Sequence, residues 1–511
     1  MFRMMTGKCY LVGAGPGDPG LLTVKGRECL AKADVLIYDA LSSPEFLQWV
    51  PGKCEKIYAG KRAADHAIPQ EGINALIVEK AQEGRTVVRL KGGDPMIFGR
   101  GGEEAAELAE AGVPFEIVPG ISSAIGGAAY AGIPVTHRDH CSQLTIFTGH
   151  EDPTKEETSL DYAKLARADG TRVFLMGISR LGEITSTLIK NGAAPDTPMA
   201  LTRWASTGRQ RTIVGTLATM ADIAEKAQFK SPAVAVLGDV VKEREKINWF
   251  ESRPLFGQRV VVTRTREQAG ELSLQLRELG ADVVELPTIR IEQPKDRTGF
   301  SRLVADVHTY DWVVFTSPNG VERFFEAFFA AYEDARSFGK PRIAAIGPST
   351  AKKIAEYRFA TDLLPEKFVA EGLVEAFSKE HIESQTVLWV KAEDTRDIVY
   401  EELMKQGAIV DRCIAYRTVP EEGDPTGAVA RLSEEGADVI TFTSGSTVEN
   451  FFALGLPWPE GCKAASIGPV TSAKLREAGH EPAIEASRST IEGLVEAIVG
   501  LQQADRQGGQ G

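Results

Sequence analysis

The sequence predicts an α/β protein in two unlike halves, the second of them a duplicated domain. Three observations carry that prediction. From Lys8 to Asp239 short apolar runs alternate with amphipathic stretches of helical length, the runs being Tyr10 to Val12, Val35 to Tyr38, Thr86 to Leu90, Leu144 to Thr148, Val173 to Met176 and Val234 to Leu237. Strands separated in this way by helices build α/β architecture. Between Lys242 and Gly257 the pattern gives way to charged, irregular sequence, and Glu251-Ser252-Arg253-Pro254 suits an exposed connector. Beyond it the chain repeats itself. Phe315-Thr316-Ser317 with Val321-Glu322-Arg323-Phe324-Phe325 returns as Phe442-Thr443-Ser444 with Val448-Glu449-Asn450-Phe451-Phe452. Leu279-Gly280-Ala281 returns as Gln406-Gly407-Ala408, the Val260 to Val262 run near Val387 to Trp389, and Ile346-Gly347-Pro348-Ser349-Thr350 as Ile467-Gly468-Pro469-Val470-Thr471. One supersecondary unit is used twice.

The boundaries expected from these signals are a first half at 1–245, a linker at 246–256, the duplicated half at 257–502, and a disordered tail at 503–511 with nothing to bury. At 511 residues and 43% hydrophobic composition, each part can form its own core. A net charge of −13 argues against a general nucleic-acid or anionic-membrane role. The six cysteines are scattered without metal-ligand spacing, so neither a disulfide framework nor a metal site is expected. No apolar run reaches the roughly 20 residues that span a bilayer, and the expected location is cytoplasmic.

In the first half, Gly13-Ala14-Gly15-Pro16-Gly17-Asp18 follows a strand and precedes an amphipathic run, as a ligand-admitting turn should. A dinucleotide-binding reading would make Asp39 the ribose acid. Against it, Pro16 occupies the turn, and Gly17-Asp18-Pro19 delays the helix. A nicotinamide-dependent oxidoreductase and a purely structural turn remain as rivals. The more informative segment runs from Val87 through Lys91-Gly92-Gly93-Asp94-Pro95 to Gly99-Arg100-Gly101-Gly102. So many glycines beside a strand end point to a ligand approaching the backbone. Val118-Pro119-Gly120-Ile121-Ser122-Ser123-Ala124 supplies another loop of small residues.

Together these segments resemble the tetrapyrrole methylase family, and within it the uroporphyrinogen-III C-methyltransferases. The resemblance covers about Gly7 to Val241 and includes Asp34 to Asp39, Ala59-Gly60-Lys61-Arg62, Thr148-Gly149-His150 and Met176-Gly177. It implies two α/β subdomains with S-adenosyl-L-methionine in the cleft between them, and a homodimer. Carried over by position, it implies cofactor contacts at Pro16, Gly92, Gly93, Asp94, Ile97, Ser122, Ser123, Met176 and Ala205, with Asp39 as proton acceptor and Lys61 as proton donor. Met96, Ser122-Ser123 and Ala205 depart from the usual family residues while keeping size and polarity. Methylating a reduced pyrrole needs alignment, exclusion of water, and then a base for the released proton, which suits Asp39. Arg89 and Lys61 are candidates to pair with substrate carboxylates, and the plain alternative makes them surface charges.

In the second half, Thr316-Ser317 and Thr443-Ser444 should cap helices, and the turns ending at Thr350 and Thr471 repeat the arrangement. Free amides there would suit a polycarboxylate ligand, unless these are ordinary caps. These turns, with Val262-Thr263-Arg264 and Ala415-Tyr416-Arg417, resemble uroporphyrinogen-III synthases over about Phe256 to Gly500. That family implies a pair of flavodoxin-like domains joined by a two-stranded connector, here lobe one at 257–291 plus 419–502 and lobe two at 292–418. It also implies that Tyr416 assists loss of hydroxide from the linear tetrapyrrole hydroxymethylbilane. The combined expectation is cyclisation to uroporphyrinogen III, then two methylations to precorrin-2, a precursor of siroheme or cobalamin, without metal. Its alternative is a methyltransferase whose second half only binds tetrapyrrole.

Overall fold

Four five-stranded sheets organise the protein, a computed structural model that describes residues 7–60, 68–150, 158–263, 266–421 and 427–508. The first contains β1 (Cys9–Gly13), β2 (Val35–Tyr38), β3 (Glu55–Tyr58), β4 (Val87–Lys91) and β5 (Phe115–Val118), ordered β3-β2-β4-β1-β5 and parallel throughout. Its strands read as continuous apolar runs because helices cover both faces. Leu11, Val35, Ile37 and Val87 enter one core, and Val12, Leu36, Val88 and Leu90 enter the other.

The second sheet contains β6 (Leu144–Thr148), β7 (Thr171–Leu175), β8 (Pro198–Arg203), β9 (Arg211–Thr216) and β10 (Ala233–Leu237). Its order is β6-β7-β10-β8-β9, with only β6 and β7 parallel. Helix Ser123–Tyr130 links the two sheets and buries Ala124 and Ala128 against Val173 and Val234. Its small residues permit that approach, since a side chain on Gly127 would meet Val234 Cγ1 at 2.9 Å.

The second half contains β11 (Arg259–Val262), β12 (Asp282–Glu285), β13 (Ile289–Glu292), β14 (Trp312–Phe315), β15 (Arg342–Ala345), β16 (Thr386–Ala392), β17 (Ile409–Pro420), β18 (Val439–Phe442), β19 (Lys463–Ser466) and β20 (Ile484–Glu485). They form two sheets, β12-β11-β18-β19-β20 and β13-β17-β16-β14-β15. The repeat seen in the sequence becomes a repeat in space: β12-β11-β18-β19 of one lobe matches β17-β16-β14-β15 of the other, in order. The exception to parallel pairing in this half is β13 against β17, from Ile289 opposite Pro420 to Glu292 opposite Arg417. That ladder is the two-stranded connector, where the chain crosses between lobes.

Two expectations are corrected. The segment between the halves is not a free connector, because Phe250 and Leu255 are buried. Glu251 accepts from Gln210 Nε2 at 2.9 Å and Thr212 Oγ1 at 2.6 Å, and pairs with Arg244. Charges that looked solvated are used up in internal pairing. The tail also differs: helix Ile491–Gly508 runs past Gln502, held by Lys463 on Asp505 at 2.6 Å. Among the described residues no helix is long and apolar enough to cross a membrane, and no group of three metal-ligating side chains occurs. The six cysteines are free thiols.

The halves touch along two lines. A side chain on Gly208 would come within 2.2 Å of the Asp282 amide, and Arg209 pairs with Glu435 at 2.9 Å. Gln48 donates to Glu285 at 3.1 Å, and Glu45 meets Arg277 at 2.9 Å. Burial pushes the Glu45 carboxyl up to about 7 from its ordinary 4.5; Arg277 offsets part of this, and Glu285 and Asp18 add to it. A carboxyl raised on folding contributes stability that is fully present below its unfolded value of 4.5 and is lost as pH rises through about 7. Glu45→Gln cannot ionise and should remove that slope. Denaturant midpoints should show a gain on the order of 1–3 kcal/mol over the parent at about pH 8, shrinking to nothing near pH 4.5. Parallel pH profiles for the two proteins would contradict it.

Candidate active sites

Apart from Arg89, inside β4, and Lys61, outside the described residues, the candidate residues of the first half follow the carboxyl ends of strands, where open α/β sheets bind ligands. Pro16 follows β1, Asp39 follows β2, Gly92 to Ile97 follow β4, Ser122 and Ser123 follow β5, Met176 follows β7 and Ala205 follows β8. Several are brought into contact. The turn after β1 and the loop after β4 hydrogen-bond to each other, Gly93 N to Gly15 O at 2.7 Å and Gly15 N to Gly93 O at 3.1 Å. Asp94 then locks that loop: Oδ1 accepts from Met96 N at 2.7 Å and Oδ2 from Gly120 N at 2.9 Å. On the other side, a side chain on Gly126 would meet Pro16 at 2.9 Å, and one on Gly17 would meet the Ala205 carbonyl at 2.9 Å.

The expectation that the glycines after β4 make room for a ligand is corrected at Gly99 and Gly101. A side chain on Gly92 would strike Leu41 Cβ at 2.6 Å, and one on Gly99 or Gly101 the Pro95 carbonyl at 2.7 or 2.5 Å. Gly99 and Gly101 let protein backbone approach protein backbone, and Gly92 makes room for the Leu41 side chain. Gly93 differs, with a φ of +68° and its nearest neighbour, Ser123 N, 3.6 Å from where a Cβ would stand. Ile97 in the same loop and Ile121 beside the Ser122 to Ala124 helix start are exposed apolar side chains, as is Met176 after β7. Phe98, Arg100, Met176, Trp204 and Ser206 have left-handed backbones, five of the eight non-glycine residues that do so among the described residues. Such strain costs about 1–3 kcal/mol each and gathers at ligand sites. Exposed apolar side chains beside a helix start are of the chemistry that an adenosine carrying a sulfonium takes. Ser122 and Ala205 are buried and would reach it through their backbone.

Asp39 keeps 24% of its side chain exposed, accepts from Leu41 N at 3.1 Å and lies 3.4 Å from Arg89. The assignment of Arg89 to substrate carboxylates is corrected: its side chain is 5% exposed and directed at Asp39, Glu104 and the Leu90 carbonyl. Glu104 was not among the expected site residues. The available signal was its position, since Gly101, Glu104, Ala105 and Leu108 form the buried stripe of helix Gly101–Glu110. Lys61 lies outside the described residues.

In the second half the structure joins two candidates that the sequence kept apart. Ser317 caps helix Pro318–Ala331 by accepting from Gly320 N at 3.0 Å, and its hydroxyl lies 2.9 Å from the Tyr416 hydroxyl on β17. Burial raises the Tyr416 phenol above its ordinary range, against a smaller lowering by Ser317, so it stays protonated and can donate. Thr316 donates to the Val390 carbonyl at 3.2 Å. Ser444 caps Gly445–Ala453 in a capping box with Thr447, and Thr443 beside it is half-buried. The anion-binding role expected of Thr350 and Thr471 is corrected, because both side chains are buried in the first turns of their helices.

Residues 8–221 match the family Tetrapyrrole (Corrin/Porphyrin) Methylases, and residues 270–496 match Uroporphyrinogen-III synthase HemD. The Porphyrin biosynthesis protein HemD of Ruminiclostridium josui is 37% identical over 497 residues, 97% of this chain and 98% of that protein. The Uroporphyrinogen-III C-methyltransferase of Bacillus subtilis is 44% identical across 65% of this chain and 68% of its own length. The S-adenosyl-L-methionine-dependent uroporphyrinogen III methyltransferase of Methanosarcina barkeri is 54% identical across 46% of this chain and 92% of its own. The chain belongs to the family that joins a tetrapyrrole methylase to a uroporphyrinogen-III synthase in one polypeptide.

The Asp94 clamp is directly testable. Asp94→Ala strips the acceptor from two amides and should cost about 2–4 kcal/mol of stability, with Asp94→Asn costing about half as much. Urea unfolding followed by far-ultraviolet dichroism would measure both, and a midpoint for Asp94→Ala equal to the parent's would refute the clamp.

Proposed function

We propose that the second half cyclises hydroxymethylbilane to uroporphyrinogen III, with inversion of the terminal pyrrole ring, and that the first half then adds two methyl groups to give precorrin-2. The observation that carries this reading is the joining, along one chain, of a fold family that makes uroporphyrinogen III to one that methylates it. S-adenosyl-L-methionine supplies the methyl groups as an electrophilic sulfonium. Gly92 to Asp94, Ile97, Ser122, Ser123, Met176, Pro16 and Ala205 would hold it, the Asp94 clamp fixing the loop and the apolar side chains excluding water. Asp39, partly open to the cleft, takes the proton that the methylated ring must lose, and Lys61 is the proposed donor. In the second half, Tyr416 donates a hydrogen bond to the departing hydroxyl, oriented by Ser317. A polar contact of this kind adds no buried charge. Thr316, Thr443 and Ser444 would face the substrate's carboxylates across the cleft between the lobes. The reading includes a homodimer built through the methylase half, resting on the family resemblance, and a cytoplasmic location.

Incubation with hydroxymethylbilane and S-adenosyl-L-methionine should yield a tetrapyrrole heavier than uroporphyrinogen III by two methylations, read by mass spectrometry. Formation of only the symmetric isomer would exclude a working synthase. S-adenosylhomocysteine should bind in the micromolar range and NADH should not; the reverse would favour an oxidoreductase. Tyr416→Phe should slow cyclisation about ten- to a hundredfold, while methylation of supplied uroporphyrinogen III continues at the parent rate. An unchanged cyclisation rate would remove Tyr416 from the mechanism.

A further inference from the structure

Beneath Asp39 lies a row of buried charges that the proposed reaction leaves without a task. Arg89 Nη2 is 3.4 Å from Asp39 Oδ2, and Arg89 Nε is 3.3 Å from Glu104 Oε1. The same Glu104 oxygen receives Lys91 Nζ at 2.6 Å and Gln70 Nε2 at 3.1 Å. Glu104 is wholly enclosed, and Arg89 and Lys91 keep 5% of their side chains exposed. All the donors crowd onto Oε1, while Glu104 Oε2 is buried without a hydrogen-bond partner. Such an arrangement is poor design for stability alone, because a buried carboxylate oxygen left unmatched weakens the fold. Burial, with the Arg89 charge beside it, holds the Lys91 ammonium below the ordinary lysine range. Burial also keeps the neighbouring Cys9 thiol neutral.

We propose that Glu104 and Lys91 are positioning residues for methyl transfer: Glu104 divides the charge of Arg89 between itself and Asp39, Lys91 limits Glu104's share, and together they set the basicity of Asp39. The proposal rests on Asp39 being the proton acceptor. The charged and titratable groups linked to that carboxylate are Arg89 in contact with it, Glu104 and Lys91 beyond Arg89, and Cys9 from β1 beside the Arg89 and Glu104 pair, while the Tyr58 hydroxyl and the Ala40 amide both lie next to Gly60. Lys61, the proposed proton donor, lies outside the described residues. An opposite charge a few ångströms from a carboxylate favours its ionised form. Removing the competing carboxylate turns Arg89 fully toward Asp39 and makes it a weaker base. Removing the lysine frees Glu104 to hold Arg89 harder, with the opposite effect.

The test is the pH dependence of kcat/KM for methylation of uroporphyrinogen III by the full chain. Glu104→Gln should move the acid limb to lower pH by about 0.5–1 unit and lower the plateau about three- to tenfold. Lys91→Met should move the limb upward by a similar amount, and Glu104→Asp should restore the parent profile with a reduced plateau. S-adenosylhomocysteine affinity should stay within about twofold in all three, since Glu104 lies behind the sheet end rather than in the cleft. Limbs that stay in place or move in the same direction, whatever the loss of rate, would overturn the proposal and leave a structural role. Should Glu104→Gln fail to fold, the upward shift in Lys91→Met and the restored limb in Glu104→Asp decide the matter. Asp39→Asn separates the two readings: it should abolish the acid limb, and a limb that persists in it would show that the proton acceptor itself lies elsewhere.

Discussion

The methylase half depends on a meeting of three backbones. A side chain at Gly13 would fall 2.5 Å from Gly120 Cα, and one at Gly120 would fall 2.3 Å from the Gly93 carbonyl. The strand ends of β1 and β4 and the loop after β5 can come this close only because Gly13 and Gly120 carry no Cβ. Asp94 completes the junction by binding the Gly120 amide. Everything attributed to the cleft follows from that closeness: the Pro16 turn, the Ser122 cap and the exposed Ile97 are held by a knot of main chain rather than by side-chain packing.

The synthase half rests on a different constraint, the reuse of one sheet plan. In lobe one the strand β11 comes before β18 along the chain, whereas in lobe two its counterpart β16 comes after β14. The same spatial order is therefore reached by a permuted path. The permutation is possible because β13 and β17 carry the chain out and back as a single antiparallel ladder. The Tyr416 hydroxyl sits on the returning strand, one residue before that ladder begins, and touches the Ser317 cap of helix Pro318–Ala331, so the connector and the candidate chemistry adjoin.

The strands were legible because their residues are buried on both faces, leaving runs such as Val260 to Val262 and Val313 to Phe315 without polar interruption. The repeat was legible because its helix caps need particular residues, Ser317 and Ser444, at matching points. Pairing of charges was not. Arg89 and Glu251 carry the same charge whether they face water or a partner, and only the fold shows that both are enclosed by opposite charge. Glycine was ambiguous for a related reason. A missing side chain leaves room equally for a ligand or for the Pro95 carbonyl, and at Gly99 and Gly101 the carbonyl occupies it.

The contact of Gly208 with Ala281 and Asp282 has a wider meaning for how the two enzymes live together. β12 is the outermost strand of its sheet, and a bare outer strand offers unpaired amides and carbonyls to any passing chain. The loop carrying Trp204 to Gln210 is pressed against the start of that strand and pinned there by Arg209 on Glu435. The methyltransferase half thus covers the point where an outer strand of the synthase half begins, and the two halves share that margin.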